Sequence, residues 1–202
     1  MSTTRILLAA TLATATTLAL AGCASDTSSG MSGMDHNSSS SSAPATSAAP
    51  ADVNDQDVMF VQMMKPHHEQ AIEMADMILE KGDISTEVTQ LATEIKAAQV
   101  PEIEQLDAWI SDWGIEESAS GMDHSMDGMM SDDDMSALGS ATGTEAEKLF
   151  LEQMVQHHEG AVEMAQTEID KGQNPDAMSM ATTIVQTQND EIATMKDLLA
   201  SS

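Results

Sequence analysis

The chain has 202 residues, of which 34 are acidic and 7 basic, so its formal net charge is -27. A chain this negative repels nucleic acid phosphates and anionic lipid and attracts cations, which excludes nucleic acid as a partner. Two Phe, two Trp and no Tyr leave few strand-forming side chains, whereas Met occurs 18 times. The composition predicts an all-α fold.

The first 22 residues have the features of a bacterial lipoprotein signal peptide. Arg5 precedes an apolar run, 6–20, that is too short to span a membrane comfortably, and Leu-Ala-Gly-Cys23 follows with the only cysteine. The segment looks like a lipobox, in which cleavage occurs before Cys23 and the thiol carries lipid. We therefore expect an extracytoplasmic protein in the cell envelope, anchored to the membrane through Cys23 and without disulfides. An uncleaved anchor with an incidental cysteine is the alternative.

The remaining chain divides by composition. Residues 23–53 contain the lipidated cysteine and a Ser-, Ala-, Thr- and Pro-rich stretch that predicts a disordered tether. Residues 54–202 are predicted to form a metal-binding domain with one hairpin over 54–113, a Met-rich crossover over 114–143 and a second hairpin over 144–200.

A block of residues occurs twice at an offset of 90 positions. The first copy reads FVQMMKPHHEQAIEMA from Phe60, and the second reads FLEQMVQHHEGAVEMA from Phe150. Eleven of the 23 pairs between 60–82 and 150–172 are identical, and they include Met, a His-His pair and two Glu. Leu and Ala alone would preserve a helical fold, so the retention of metal-binding side chains indicates metal chemistry.

Cap signals predict two helices in each half. Asn54 and Thr144 occupy equivalent positions before acidic first turns, and Thr144 with Glu147 forms a capping-box pattern. Lys-Gly at 81–82 and at 171–172 predicts where the first helices end, and Ser85 and Asn174 are candidate caps of the second helices. Neither hairpin can cover its own apolar stripe, so we predict a ferritin-like four-helix bundle with a long crossover.

The histidine pairs lie at the midpoints of the two predicted first helices. If a pseudo-twofold axis relates the hairpins, these helices are antiparallel and their midpoints meet in one layer of the core. Met64 and Met154 lie one turn before the pairs on the same side of each helix. Gln99 and Gln188 lie near the middle of the second helices and could contact this layer. The predicted metal ligands in the layer are Met64, His67, His68, Met154, His157 and His158.

Packing and solvent exposure are the alternatives for these side chains. A single His on an apolar face is usually a core residue with one hydrogen bond, and Met at helical spacing is usually core filler. Four histidines at one level are harder to explain in this way, because each buried imidazole needs a partner and a shared metal supplies one. Met74 and Met164 lie seven residues beyond the first His of each pair, and packing explains them better.

The repeated block resembles the bacterial domain-of-unknown-function family 305, whose pattern is Phe followed by Met-x-x-His-His and then Ala-x-x-Met-Ala. The resemblance covers about residues 54–200 and both copies match. It implies a ferritin-like four-helix fold and, for some members, extracytoplasmic copper binding. Pro66 is replaced by Gln156 in the second copy, so the half-sites need not be equivalent. Matched to the family pattern, the site residues are Met64, His67, His68, Met74, Met154, His157, His158 and Met164.

Met and His recur in the segments that we expect to be flexible. Gly-Met-Asp-His at 33–36 is repeated at 121–124 and is followed by Met126, Met129, Met130 and Met135. A flexible segment has no core to fill, so packing does not explain these Met. Thioethers select Cu(I), and imidazole binds both copper oxidation states. Met122, His124 and Met126 are therefore predicted to be further copper ligands, with chance low-complexity sequence as the alternative.

The sequence therefore predicts a copper-binding protein, not an enzyme, that sequesters or buffers copper or hands it to a partner protein. A ferritin-like di-metal oxidoreductase holding iron is the second reading, with Glu69, Glu73, Glu159 and Glu163 available as ligands. Its usual Glu-x-x-His pattern does not occur after Cys23. A structural or interaction module without metal is the third reading.

Overall fold

The structure is a computed structural model that describes residues 50–115 and 128–201. Its regular structure within these residues is all-α, as the composition predicts, with five helices and no strand. The helices are α1 (Asp55–Leu79), α2 (Thr86–Asp112), α3 (Asp132–Ser140), α4 (Gly143–Lys171) and α5 (Pro175–Ser201).

Three of the predicted helix caps are confirmed. The Asn54 side chain accepts from the backbone of Gln56 and Asp57, and the Asp57 carboxylate accepts from the Asn54 backbone in return, which completes a capping box. The Ser85 hydroxyl accepts from Val88 N at the start of α2. The Asn174 side chain caps α5, whose first residue is a proline.

The predicted start of α4 is wrong by two residues. The N-cap is Thr142, which makes no side-chain cap hydrogen bond, and Thr144 lies inside the helix. Glu147 does not fold back on the helix end, because its carboxylate accepts from the backbone N–H of Ser85 at the start of α2. A tertiary contact between the two hairpins has replaced the local capping box.

The two hairpins, α1–α2 and α4–α5, meet mainly through α1 and α4. At one end, the Asn54 side chain donates to the carbonyl of Lys171, and the Gln173 and Asn174 backbone N–H groups donate to Asp57. The beginning of α1 therefore lies at the end of α4. The predicted antiparallel arrangement of these two equivalent helices is confirmed.

The crossover contains a helix that the sequence analysis does not predict. Asp132–Ser140 forms α3, which begins with a capping box between Ser131 and Asp134. Met130 and Leu138 are buried in the core, and Met135 packs against it. The interpretation that crossover Met side chains have no core to fill is therefore wrong for Met130 and Met135. Crossover residues 116–127 lie outside the described residues.

The apolar core consists of two clusters on either side of the histidines. One contains Phe60, Met64 and the buried Trp of α2 together with Ala161 and Ala165 of α4. The other contains Ala71 and Met74 of α1 together with Phe150 and Met154. The His-His pairs belong to neither cluster, so a polar layer divides the apolar core at the midpoints of α1 and α4.

Both α1 and α2 continue through a proline, Pro66 and Pro101 respectively. None of the helices in the described residues has the length and apolar composition that a membrane span requires.

Candidate metal centre

The structure brings the two His-His pairs together in the core. His67 and His157 face each other with ring centroids 3.7 Å apart and ring planes at 39°. The rings of His157 and its neighbour His158 are 6.2 Å apart. All four histidines are buried, with at most 1% of their surface exposed. Antiparallel packing of α1 on α4 produces this layer, because it brings the midpoints of the two repeated helices together.

Each histidine pair has one member bound to a carboxylate of the second helix in its own hairpin. His68 Nε2 lies 2.8 Å from Glu102 Oε2, and His158 Nε2 lies 2.8 Å from Glu191 Oε2. Glu102 and Glu191 are not among the site residues that the sequence analysis predicts. The signal was present, because both Glu lie three residues after Gln99 and Gln188, on the helix face that meets the layer.

These carboxylates determine which nitrogen each ring presents to the layer. A carboxylate only accepts, so in a neutral imidazole the proton must be on Nε2. The lone pair of Nδ1 then points away from the Glu. Nδ1 of His68 and Nδ1 of His158 are both buried and have no hydrogen-bond partner. Two buried lone pairs without partners are costly for an apo protein and suited to a metal ion.

His157 is held in the neutral form that metal binding requires. Burial lowers the pKa of His157 well below its usual value, and the charges of His67, His158 and His68 lower it further. A hydrogen bond with the His67 backbone acts in the opposite direction and does not reverse the effect. Close apposition of His67 and His157 is therefore compatible with neutral rings and not with two imidazolium ions.

The glutamines of the second helices also contribute unsatisfied polar atoms. Gln99 and Gln188 are each 2% exposed. Neither amide atom of Gln99 has a hydrogen-bond partner, and the Oε1 atom of Gln188 has none. A polar layer with this many free donors and acceptors is rarely built for stability alone.

Met64 and Met154 lie on opposite sides of the histidine layer. Each is fully buried one turn before its own His-His pair. Because α1 and α4 are antiparallel, Met64 belongs to one apolar cluster and Met154 to the other. A soft ion in the layer has a thioether available from either direction.

The other predicted ligands are placed differently. Met74 is fully buried in the apolar cluster beyond Met154, and Met164 is partly exposed. Met122, His124, Met126 and the lipidation candidate Cys23 lie outside the described residues. Glu69, Glu73, Glu159 and Glu163, the carboxylates considered for a di-metal site, are all exposed on the helix surfaces.

The donor set fits a soft or borderline metal. Residues 50–115 and 128–201 contain no group of three or more His, Cys, Asp or Glu arranged to hold a metal ion. The layer instead combines imidazole with thioether, and this is the combination that copper accepts in both oxidation states. The unpartnered Nδ1 atoms of His68 and His158 supply lone pairs at the layer.

The end of the crossover docks beside the layer. The Gln70 side chain holds the backbone of Met130 through two hydrogen bonds, with Nε2 donating to the carbonyl at 2.9 Å and Oε1 accepting from N–H at 2.8 Å. Gly128 lies so close to α4 that a Cβ there would be 2.9 Å from His157 O and from Gly160 Cα. Gln70 and Gly160 are equivalent positions in the repeat. The first copy uses the Gln side chain to bind the Met130 backbone, and the second has Gly where Gly128 approaches α4.

Solved structures of similar proteins have the same fold. A DUF305 fragment from Deinococcus radiodurans is 33% identical, with a TM-score of 0.69, over 74% of this chain and 99% of that one. A DUF305 protein from Streptomyces coelicolor, assigned as secreted, is 31% identical with a TM-score of 0.67, over 72% of this chain and 93% of that one.

A third similar structure is that of CopM, which has been solved in Cu(I)-bound, Cu(II)-bound and Ag-bound forms. Its Cu(I)-bound form is 30% identical with a TM-score of 0.60, over 72% of this chain and 96% of that one. A search of curated protein sequences gives no match. The family model for the domain of unknown function DUF305 matches residues 57–199, and the chain therefore belongs to the DUF305 family.

Proposed function

We propose that this protein is an extracytoplasmic copper-binding lipoprotein that sequesters or buffers copper or hands it to a partner protein. The observation that carries the proposal is the close contact between the His67 and His157 rings inside a buried layer of four histidines. The Cu(I)- and Cu(II)-bound structures of CopM, a protein of the same fold, support copper as the ligand.

The proposed ligands are the four histidines together with Met64 and Met154. Imidazole binds copper in either oxidation state, and the thioethers favour Cu(I). Met74 and Met164 are included only because they match the family pattern. Met122, His124 and Met126 of the crossover are proposed as additional, weaker ligands. A site without thiolate suits an oxidising compartment, where thiols do not stay reduced.

The arrangement proposed for the whole chain is a ferritin-like four-helix bundle on a lipid anchor. The pairs α1–α2 and α4–α5 supply the four long helices, and α3 is an addition within the crossover. Residues 1–22 are proposed to be removed, with Cys23 lipidated and 23–53 serving as the tether. The similarity to a Streptomyces coelicolor protein assigned as secreted supports a location outside the cytoplasm.

A di-metal oxidoreductase is the second candidate function, and one observation favours it. Glu102 and Glu191 contact His68 and His158, so carboxylates do reach the layer. They reach it through hydrogen bonds to the ring nitrogens and are placed to orient the imidazoles. We therefore rank copper binding first.

Metal analysis of the purified protein separates these functions. After expression with copper and iron both available, the copper proposal predicts stoichiometric copper and no oxidase activity toward Fe(II). Stoichiometric iron with Fe(II) oxidation would support the second function. Absence of any bound metal after reconstitution with Cu(I), Cu(II) and Fe(II) would contradict both.

A further inference from the structure

Within the residues that the structure describes, the crossover covers one of two equivalent grooves between α1 and α4 and leaves the other open. In the covered groove, Gln153 donates to the carbonyl of Asp134 in α3, and Met74 is buried in the cluster that contains Leu138 of α3. The repeat relates Gln153 to Met63 and Met74 to Met164. These two thioethers lie in the groove that α3 leaves uncovered.

The uncovered groove is a solvent-open cleft of about 370 Å³. Met63 of α1 and Met164 of α4 both line it and are partly exposed. The other lining residues are Glu163, Gln166, Thr167 and Asp170. Met164 is therefore not the buried counterpart of Met74 that the repeat alone would predict, because nothing equivalent to α3 covers it in the described residues.

Thioethers lead from the surface of α1 towards the histidine layer. Met59 is 52% exposed, Met63 is partly exposed and His67 is fully buried, and they are spaced four residues apart on one side of the helix. Each step of four residues is about 6 Å along the helix axis. The second copy has Leu149 and Gln153 in place of the two Met, so this series exists only beside the uncovered groove.

The chemistry of the cleft favours a soft cation that is bound weakly. Two thioethers are ligands for Cu(I) or Ag(I), whereas hard cations prefer oxygen. The exposed carboxylates Glu163 and Asp170 add negative potential that attracts cations. A cleft with two thioethers and open solvent binds an ion more weakly than a buried layer of four imidazoles. This difference in affinity favours transfer of the ion from the cleft to the layer.

We propose that the cleft lined by Met63 and Met164 is a second binding site for a soft monovalent cation, from which the ion passes to His67. The cleft is where the ion is first captured, and the histidine layer is where it is retained. The inference rests on the proposed function, since it takes the histidine layer as the destination.

Titration with Ag(I), followed by NMR of the Met methyl groups and of the His rings, tests this site directly. We expect the His ring signals to move first and the methyl signals of Met63 and Met164 to move once the layer is filled. Ca²⁺ should move neither methyl signal. Methyl signals that stay in place while the His signals move would overturn the inference alone, as would a response to Ca²⁺. His signals that do not respond to Ag(I) would overturn the proposed function.

The kinetic test uses a paired Met63→Leu, Met164→Leu variant, because Leu keeps the volume and removes the thioether. Transfer of Cu(I) from a chromogenic chelator to the protein should slow at least tenfold. The Cu(I) affinity of the histidine layer should stay unchanged. The matched control is Met178→Leu with Met180→Leu, which changes two partly exposed Met of α5 outside the cleft. An unchanged transfer rate in the cleft variant, or an equal slowing in the control, would contradict the proposal.

Discussion

The ring centroids of His67 and His157 lie 3.7 Å apart although 90 residues separate them in the chain. They are equivalent members of the repeat, and antiparallel packing of α1 on α4 brings their rings into contact. A site between two equivalent helices that pack in this way receives the same donors from both halves. One buried Met and one Glu-bound His from each hairpin complete the set on either side.

Glu102 and Glu191 are expected to determine the affinity of the layer without contacting the metal. In Glu102→Gln, the amide NH₂ can donate to Nε2 of His68. The ring proton can then be on Nδ1, where it removes the lone pair that would bind the metal. Copper affinity should fall about 10- to 100-fold. ¹⁵N NMR of the apo protein should show Nε2–H for His68 in the parent and a mixture of tautomers in the variant.

The control for this change is Glu104→Gln, which removes the same charge from an exposed position of α2. It should leave both the tautomer and the affinity unaltered. Equal losses of affinity in the Glu102 and Glu104 variants would mean that net charge, and not ring orientation, is responsible.

The buried carboxyl pair Asp57 and Glu168, where α1 begins and α4 ends, predicts a loss of stability as the pH rises from about 4.5 to about 8. Asp57 and Glu168 are both fully buried. Burial, a hydrogen bond with Asp57 and the charge of Asp57 together raise the pKa of Glu168 to about 8. Burial also raises the pKa of Asp57, but hydrogen bonds from the Asn54 and Asn174 backbone and from Glu168 outweigh it, so the pKa is lowered overall.

The pair therefore holds one proton, on Glu168, when folded. The raised pKa of Glu168 means that the folded state binds a proton which the unfolded state releases above its ordinary value of 4.5. The free energy of unfolding should fall by about 1.4 kcal/mol per pH unit until the pH passes about 8. Urea unfolding at pH 6 and 8 should show this fall in the apo protein and a smaller one in Glu168→Gln. Equal slopes in both proteins would refute the assignment.

His157 gives the opposite dependence on the acid side. Because burial lowers its pKa well below 6.5, the unfolded state binds a proton that the folded state does not. Apo stability should therefore fall as the pH decreases below about 6.5, by about 1.4 kcal/mol per unit. Thermal unfolding between pH 7 and 5 measures it, and His157→Gln should flatten the curve. A steeper curve in the variant would contradict the buried, neutral assignment.

Gly128 should be required for docking of the crossover on α4. Its φ is +88°, and a Cβ would lie 2.9 Å from two backbone atoms of α4 that cannot move aside. Gly128→Ala should cost about 1–3 kcal/mol of unfolding free energy. In Gly139→Ala the new Cβ meets nothing within 4 Å, so this control in α3 should be neutral or stabilising. Similar urea midpoints for the two variants would show that the close contact is not needed.

Local patterns in the sequence were sufficient to predict the four long helices and the meeting of the histidine pairs, but not α3. Asn54, Ser85 and Asn174 act as caps through contacts with their own helices, so neighbouring residues determine them. The layer was predictable because the repeat places the His pairs at equivalent midpoints, and antiparallel packing follows from the symmetry of two equal hairpins.

Long-range contacts account for what the sequence did not predict. Glu147 caps α2 across the hairpins instead of its own helix, and no local pattern shows this. The burial of Met130 depends on Gln70 holding its backbone, a contact over 60 residues. The roles of Glu102 and Glu191 depend on which ring nitrogen they meet, and only three-dimensional placement shows it.

A Cu(I) competition titration against a chromogenic chelator shows whether the histidine layer is the tightest copper site. The chain from residue 24 onward and its His67→Ala, His68→Ala variant are compared, each with and without residues 116–127, after circular dichroism confirms that all four proteins are helical. If His67→Ala with His68→Ala does not fold, His157→Asn takes its place. We expect the tightest Cu(I) site to persist when 116–127 is deleted and to weaken at least 100-fold when the histidines are replaced. Full affinity and stoichiometry in the folded histidine variant, with loss of binding on deletion of 116–127, would contradict this expectation.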